Sequence, residues 1–284
     1  MDRDGNGPLH LAVRDGTLQD LQRLMPEDAC NLDLEARNRH LKTPLHFAME
    51  YGSLEMVELF IQRGANVNCK SEHDRTPLHA LLIYLNGAAI PIAEKLLQSG
   101  ADVNAITDTG VTALMLAGTV KMTSLLLEHH ARVDAVTSDG NTSLHLAVGD
   151  GNYDRTRTLL DAGANVSLRD DMGRTALYDA VMRRHVYIVE LLIMYGSDSS
   201  TLCLYGHSPA SMAALQNNQP MVDAIKTAEY NRGGREAIAM GLHHRAGELS
   251  DLSTLREDQI VEDIMRLAFP TLRERERENN QHER

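Results

Sequence analysis

Residues 43–68 read TPLHFAMEYGSLEMVELFIQRGANVN, and variants of this phrase return along most of the chain. The TPLH segment is the most regular part, and aligning on its first residue places seven anchors. These anchors are Gly7, Thr43, Thr76, Thr112, Thr142, Thr175 and Ser208, at successive spacings of 36, 33, 36, 30, 33 and 33 residues. A period of this length is typical of stacked units, none of which can bury its apolar face alone.

Within residues 43–68, the residue types indicate a helix–turn–helix unit. Thr43 is a good N-cap, and Pro44 sits at the first helical position, where its missing N–H costs nothing. Gly52 permits the left-handed conformation that ends a helix, and Gly64 ends a second helix with an apolar face over residues 56–61. The polar residues that follow are predicted to form an extended turn that leads to the next anchor.

The segments that link these units resemble the linking phrase of the ankyrin repeat almost position for position. They read GANVNCKSEHDRTPLHA, GADVNAITDTGVTALMLA and GANVSLRDDMGRTALYDA, and the resemblance covers about residues 1–230. It implies an all-α repeat protein, a curved solenoid of helix–turn–helix units joined by hairpin loops, whose hairpin tips and first helices line a concave groove. It also implies that the fourth residue of TPLH hydrogen-bonds within and between hairpins. These residues are His10, His46, His79 and His145.

The predicted organisation is an array of seven repeats over residues 1–230, a helical tail over 231–272 and a charged, disordered end over 273–284. Repeat three carries about three extra residues and repeat four lacks about three, which predicts a bulged turn followed by a shortened first helix. Repeat seven keeps the pattern least well and is expected to act as a terminal cap. The repeats lie near residues 2–35, 36–68, 69–104, 105–134, 135–167, 168–200 and 201–230.

Composition agrees with thin helical layers in place of one thick core. Hydrophobic residues make up 43% of the chain while aromatic residues make up only 4%, and Trp is absent. Three cysteines, far apart and without CxxC spacing, favour neither a disulfide framework nor a zinc site. The sequence has no signal-peptide pattern and no run of about eighteen apolar residues, which predicts a cytoplasmic protein, with the nucleus as the alternative.

Charge sets the expected class of partner. The net charge is -12, of which residues 231–284 contribute -2 and residues 1–230 contribute -10. Such a field repels nucleic acid and anionic lipid, and it attracts basic surfaces. We therefore expect a protein partner with a basic or mixed-charge segment, no nucleic acid and no membrane among the ligands, and a monomeric chain.

Nothing in the sequence predicts catalysis. Glycine-rich phosphate loops, a GxSxG motif and a Cys/His pair in a suitable context are absent. The adjacent pair His129 and His130 lacks a further ligand at helical spacing, so no metal site is expected. Asp170 and Asp171 fall at a hairpin tip, where both are expected to be solvated. We predict a protein that is not an enzyme and that uses no cofactor.

The candidate binding residues are those that the stack leaves free at the hairpin tips and at the ends of the first helices. A tyrosine with acidic neighbours is a favourable contact residue, since it offers area at low entropic cost. Tyr51 and Tyr84 are expected to anchor a bound partner. The full set is Arg14, Asp15, Arg39, His40, Glu50, Tyr51, Glu72, His73, Tyr84, Asp108, Thr109, Asp139, Asp150, Asp171, Arg183 and Tyr205.

The tail has helical signals of its own. Gly233 and Gly234 predict a hinge, followed by a short helix that Gly247 ends. Thr254 and Glu257 form a capping box ahead of a second, amphipathic helix.

This second helix is similar to the degenerate F-box of the PRANC type, although the usual Leu-Pro opening is absent. The resemblance implies that residues 249–269 recruit a ubiquitin ligase through a Skp1-type adaptor, and the alternative is that the tail caps the last repeat. The predicted function is thus a protein–protein interaction scaffold, with a ubiquitin-ligase substrate adaptor as the alternative. The tail residues that match the apolar helix of an F-box are Leu252, Leu255, Ile260, Ile264 and Met265.

Overall fold

The computed structural model describes residues 1–26, 33–51, 53–84 and 90–248, with side chains up to residue 234. Within these residues the fold is a stack of helix pairs joined by hairpin loops, which confirms the predicted all-α solenoid. The helices are α1 Pro8–Asp15, α2 Leu18–Leu24, α3 Pro44–Tyr51, α4 Leu54–Gln62, α5 Pro77–Tyr84, α6 Ile90–Gln98, α7 Ala113–Leu116, α8 Val120–Glu128, α9 Ser143–Gly149, α10 Tyr153–Asp161, α11 Ala176–Met182, α12 Val186–Met194, α13 Pro209–Leu215 and α14 Gln219–Glu248.

The helices form two layers along the stack. Each odd-numbered helix packs on the odd-numbered helices of the neighbouring repeats, and the even-numbered helices do the same in the second layer. Small and branched apolar residues fill the space between the layers. In repeat five Leu144 is buried, and Ala147, Val148 and Leu159 are inaccessible to solvent. Because each repeat contacts only its neighbours, the core extends along the whole stack.

Main-chain hydrogen bonds join the hairpins to one another at their tips. The carbonyl of Asp4 accepts from the amide of Arg39 at 2.9 Å, and the carbonyl of His40 accepts from the amide of Glu72 at 3.1 Å. We call this series of bonds the tip ladder, and it holds the tips of successive repeats at a fixed spacing. Its later acceptor and donor pairs are His73 and Asp108, Thr109 and Ser138, Asp139 and Asp171, and Met172 and Leu204.

The histidines of the TPLH segments connect each hairpin to the next, as the resemblance implied. The Nδ1 atom of His46 accepts from the amide of Thr43 at 3.2 Å, and its Nε2 atom donates to the carbonyl of Arg75 at 3.0 Å. Burial lowers the pKa of His46 to about 4, so the ring is neutral at pH 7. The same contacts and a lowered pKa are found at His10, His79 and His145.

The shortened first helix of repeat four is confirmed. Helix α7 has only four residues, and Ala117 after it is extended. The side chain of Arg155, from α10 of the next repeat, fills the place of the missing turn and donates to the carbonyls of Leu114 and Met115 at 3.1 and 3.0 Å. A distant residue therefore satisfies backbone acceptors that a full-length helix would satisfy itself. The predicted bulged turn of repeat three falls on residues 85–89, outside the described residues.

The predicted hinge at Gly233 and Gly234 is wrong. Helix α14 passes through both glycines without a break, and the separate short helix expected before Gly247 belongs to this single element, which ends at Glu248. A glycine costs a helix about 1 kcal/mol relative to alanine. Neither glycine has a left-handed φ. The start of α14 packs on α12 and α13, and this packed segment gives the helix a base from which to propagate.

Asp170 is buried, which contradicts the prediction that it would be solvated like its exposed neighbour Asp171. Its carboxylate accepts from the amides of Met172 and Arg174 and from the Arg174 guanidinium. Burial by itself would raise the pKa of Asp170, but these donors outweigh burial and lower it. The position five residues before the anchor is therefore structural, and it is also polar in five other hairpins, at Asp2, Asn38, Ser71, Thr107 and Thr137.

Candidate functional site

The predicted site residues lie at the hairpin tips and at the C-terminal ends of the odd-numbered helices. We call the surface that they form, from Arg14 to Tyr205, the groove face. All sixteen are exposed except Glu50. The tip residues are held by the tip ladder and the others by the ends of α1, α3, α5, α9 and α11. Their contact with a partner stays a prediction.

Two side-chain pairs reinforce the tip ladder in repeats two to four. The Nδ1 atom of His40 lies 3.0 Å from the Glu72 carboxylate, and that of His73 lies 2.8 Å from the Asp108 carboxylate. All four side chains are about half exposed, so each pair contributes at most about 1 kcal/mol. These residues are therefore accessible to a ligand and weakly committed to each other.

A cleft of about 240 Å³ between repeats two and three contains an internal ion pair. The Lys42 ammonium group bonds the Glu50 carboxylate and lies 5.3 Å from the centre of the Tyr84 ring. Burial would lower the pKa of Lys42, but the bond to Glu50 outweighs burial and raises it. The Glu50 side chain is only 6% exposed. Glu50 is thus neutralised within the fold, and the prediction that it offers a free charge on the groove face is corrected.

The predicted aromatic anchors are exposed but held in place. Tyr51 is 57% exposed, and its ring contacts the Phe47 ring with a centroid distance of 5.8 Å. Tyr84 is 47% exposed and carries the Lys42 ammonium group near its ring. Tyr205, at the tip of repeat seven, is 69% exposed. These rings can bury further area when a partner binds, with little side-chain entropy to lose.

A second cleft, of about 470 Å³, lies between repeats five and six. It brings together Asp150 and Arg183, two of the predicted binding residues, with Leu146, Met182 and Asp179. Burial raises the pKa of Asp179, although the Arg174 guanidinium opposes this rise. The cleft therefore contains a carboxylate whose charged form the fold disfavours.

Asp179 is not among the residues predicted from the sequence, although the alignment of the repeats contains a signal for it. Asp179 stands four residues after its anchor, Thr175. The equivalent residue is apolar in the other six repeats. Those residues are Leu11, Phe47, Ala80, Leu116, Leu146 and Met212.

The tail residues proposed for ligase recruitment, 249–269, lie outside the described residues, so both readings of the tail stay predictions. Of the helices described, none is long and apolar enough to cross a membrane. Within the same part of the chain, no three His, Cys, Asp or Glu side chains are arranged to hold a metal ion.

Comparison with known proteins agrees with the repeat architecture. Two curated relatives are a putative palmitoyltransferase ZDHHC13 from Danio rerio, 36% identical over 48% of this chain, and a B-cell lymphoma 3 protein homolog from Mus musculus, 28% identical over 75%. The matches span 21% and 49% of those proteins, so this chain corresponds to half of each relative or less.

Solved structures show the same likeness in three dimensions. The crystal structure of the ankyrin repeat domain of Bcl-3, described as a member of the IkappaB protein family, matches 79% of this chain and 100% of that domain, with a TM-score of 0.69 and 29% identity. An ankyrin repeat domain from Acinetobacter baumannii matches 65% of this chain and 97% of its own, with a TM-score of 0.61 and 25% identity.

The model of the ankyrin-repeat family matches three overlapping segments of the sequence, residues 9–106, 80–170 and 151–233. Together these segments cover most of the chain, and each contains the anchors and helix pairs described above. The chain therefore belongs to the ankyrin-repeat family.

Proposed function

We propose that this protein is a protein–protein interaction scaffold whose groove face binds a basic or mixed-charge segment of a partner. The observation that carries the proposal is the tip ladder, because it presents exposed side chains at a regular spacing on a fixed backbone. A surface that is ordered before binding loses less entropy on association, which leaves more of the contact energy as affinity.

The chemistry of the groove face supports a basic partner. Exposed carboxylates occur at successive tips, at Glu72, Asp108, Asp139 and Asp171. Exposed charges of this kind mainly increase the association rate and its salt dependence, whereas a tyrosine that becomes desolvated contributes affinity. We therefore assign partner selection to the acidic tips and affinity to Tyr51, Tyr84 and Tyr205. The monomeric state and the location in the cytoplasm or the nucleus stay predictions from the sequence.

The test is to capture proteins on the immobilised full chain, identify them by mass spectrometry and measure the affinity of a purified captured protein at low and high salt. Tyr84→Ala should weaken binding at both salt concentrations, and Asp108→Ala should weaken it mainly at low salt. Glu128→Ala, an exposed acid on α8 in the other helix layer, is the matched control and should have no effect. Binding that strengthens with salt, or that ignores both groove-face variants, would refute the proposal.

A further inference from the structure

Asp179 differs from the predicted acids of the groove face because it is largely buried and, among the described residues, its carboxylate has no hydrogen-bond donor. Its side chain is 16% exposed. Among the residues described, the one cation within 4.0 Å of its carboxylate is the Arg174 guanidinium, and the distance of 3.8 Å is too long for a hydrogen bond. The carboxylate faces the 470 Å³ cleft between repeats five and six.

The groups around Asp179 are already committed elsewhere. Arg174 donates to the buried carboxylate of Asp170, at 2.7 Å from Nε and 2.6 Å from Nη2. His145 uses Nδ1 on the amide of Thr142 and Nε2 on the carbonyl of Arg174. His145 has no free ring nitrogen. The two bonds to Asp170 hold the third nitrogen of Arg174, Nη1, at 3.8 Å from the Asp179 carboxylate.

Arg183 is the remaining candidate within the cleft, since it lies four residues after Asp179 on the same helix face. Its guanidinium instead lies beside Gly149, with three of its atoms 3.7 Å from the position that a Cβ of that glycine would occupy. Within the described part of the chain it forms no ion pair with the Asp179 carboxylate, although its charge opposes the rise in the pKa of that group. Asp179 therefore keeps its acceptor capacity open toward the cleft.

An under-satisfied carboxylate is costly to a fold. Removing a charged group from water without hydrogen-bond partners is unfavourable, and an apolar side chain at the same place avoids that cost. The other six repeats have an apolar residue there. Residues that lower stability in this way are expected where binding requires them.

We propose that Asp179 is the specificity residue of the groove face and that the cleft around it receives one arginine or lysine side chain of the partner. The carboxylate accepts from the cationic head, and an arginine can offer two parallel N–H groups. Leu146 and Met182 line the cleft and pack against the aliphatic stem. The inference rests on the proposed function and identifies the side chain that this part of the groove face selects.

Arg183 opposes the incoming cation in this arrangement. It repels a second positive charge and, as a cation that lines the same cleft, competes for the Asp179 carboxylate. The two residues therefore have opposite predicted effects, since loss of the Asp179 charge weakens binding and loss of the Arg183 charge strengthens it.

The experiment is a titration of the isotope-labelled full chain, followed by NMR, with N-acetyl-arginine amide, N-acetyl-lysine amide and the uncharged isostere N-acetyl-citrulline amide. The two cations should shift the resonances of the cleft residues, and the citrulline probe should not. Asp179→Asn should weaken cation binding by about tenfold or more, because a hydrogen bond to a charged group is lost. Arg183→Gln should strengthen it, and Glu128→Gln, at an exposed acid on α8 outside the groove face, is the control that should change nothing.

Folding is checked in the same samples. Because burial disfavours the charge of Asp179, the Asp179→Asn variant should have a denaturation midpoint at least equal to that of the wild type at pH 7.

Equal shifts from arginine and citrulline probes, or unchanged cation binding in Asp179→Asn, would overturn the proposal. If proteins are captured on the groove face while the cleft ignores both cations, only this inference fails. If the cleft binds the cations and nothing is captured, only the proposed function fails.

Discussion

Arg155 should be the most informative residue for testing how the shortened repeat is stabilised. Its side chain is 2% exposed, and it donates to two carbonyls at the end of α7 from a helix that lies 40 residues further along the chain. Burial lowers the pKa of its guanidinium, and the exposed Asp150 carboxylate at 3.4 Å offsets this only in part. The arginine is therefore retained at a cost, and the two carbonyls are what it stabilises.

The change Arg155→Met preserves the length of the stem and removes the donors. Each hydrogen bond from a charged group contributes about 1.5–3 kcal/mol, and the loss leaves two buried carbonyls unsatisfied. Removal of the buried charge offsets part of this loss of stability, so we expect a net decrease of about 2–4 kcal/mol in the free energy of unfolding. The stability of Arg155→Lys should lie between those of the wild type and Arg155→Met, because one ammonium group cannot reproduce the planar donor geometry of the guanidinium.

The assay is urea unfolding followed by circular dichroism, together with amide hydrogen exchange. Exchange should accelerate in repeats four and five and change little in repeats one and two, because the repeats interact only with their neighbours. Arg157→Met, at an exposed arginine of the same helix, should change the stability by less than about 0.5 kcal/mol. A stable Arg155→Met variant, or a loss spread evenly over the array, would show that Arg155 does not replace the missing turn.

The remaining predictions concern burial, protonation and backbone conformation. Leu144→Ala should cost about 2–5 kcal/mol in denaturant melts, while Asp139→Ala should cost less than about 0.5 kcal/mol. The pKa of His46 is about 4 in the folded chain and near 6.5 in the unfolded chain. Its contribution to the free energy of unfolding is therefore complete above pH 6.5, and roughly 3 kcal/mol is lost as the pH falls toward 4. Melts from pH 7.5 to 4.5 should show this loss, and His46→Gln should make it smaller. Gly140→Ala should destabilise more than Gly206→Ala, although both have a left-handed φ (76° and 75°), because only at Gly140 would a Cβ meet backbone, at 2.9 Å. Equal shifts in the two midpoints would contradict this.

Much of the candidate site could be located from the sequence, because the repeat alignment places hairpin tips and helix ends without coordinates. Fifteen of the sixteen selected residues are exposed, as a binding surface requires. Glu50 is the exception, since the alignment gives its position but not the reach of the Lys42 side chain that neutralises it. Asp179 could not be selected from the sequence, because an acidic residue near an anchor has the pattern of an exposed charge. Only the structure shows that its carboxylate is largely buried and lacks hydrogen-bond donors among the described residues.

The sequence by itself determined the features that depend on residues close together in the chain. Helix caps, glycine stops and apolar periodicity act within about one helical turn, so the helix pairs could be predicted. The spacing of the repeated phrase added the period and the shortened α7. The tertiary structure alone decided the features that depend on residues 30 or more positions apart, such as the cap that Arg155 provides to α7. It also decided the continuity of α14, where packing outweighs the cost of two glycines. The physical reason is that burial and side-chain reach depend on the positions of neighbouring repeats, which no single repeat encodes.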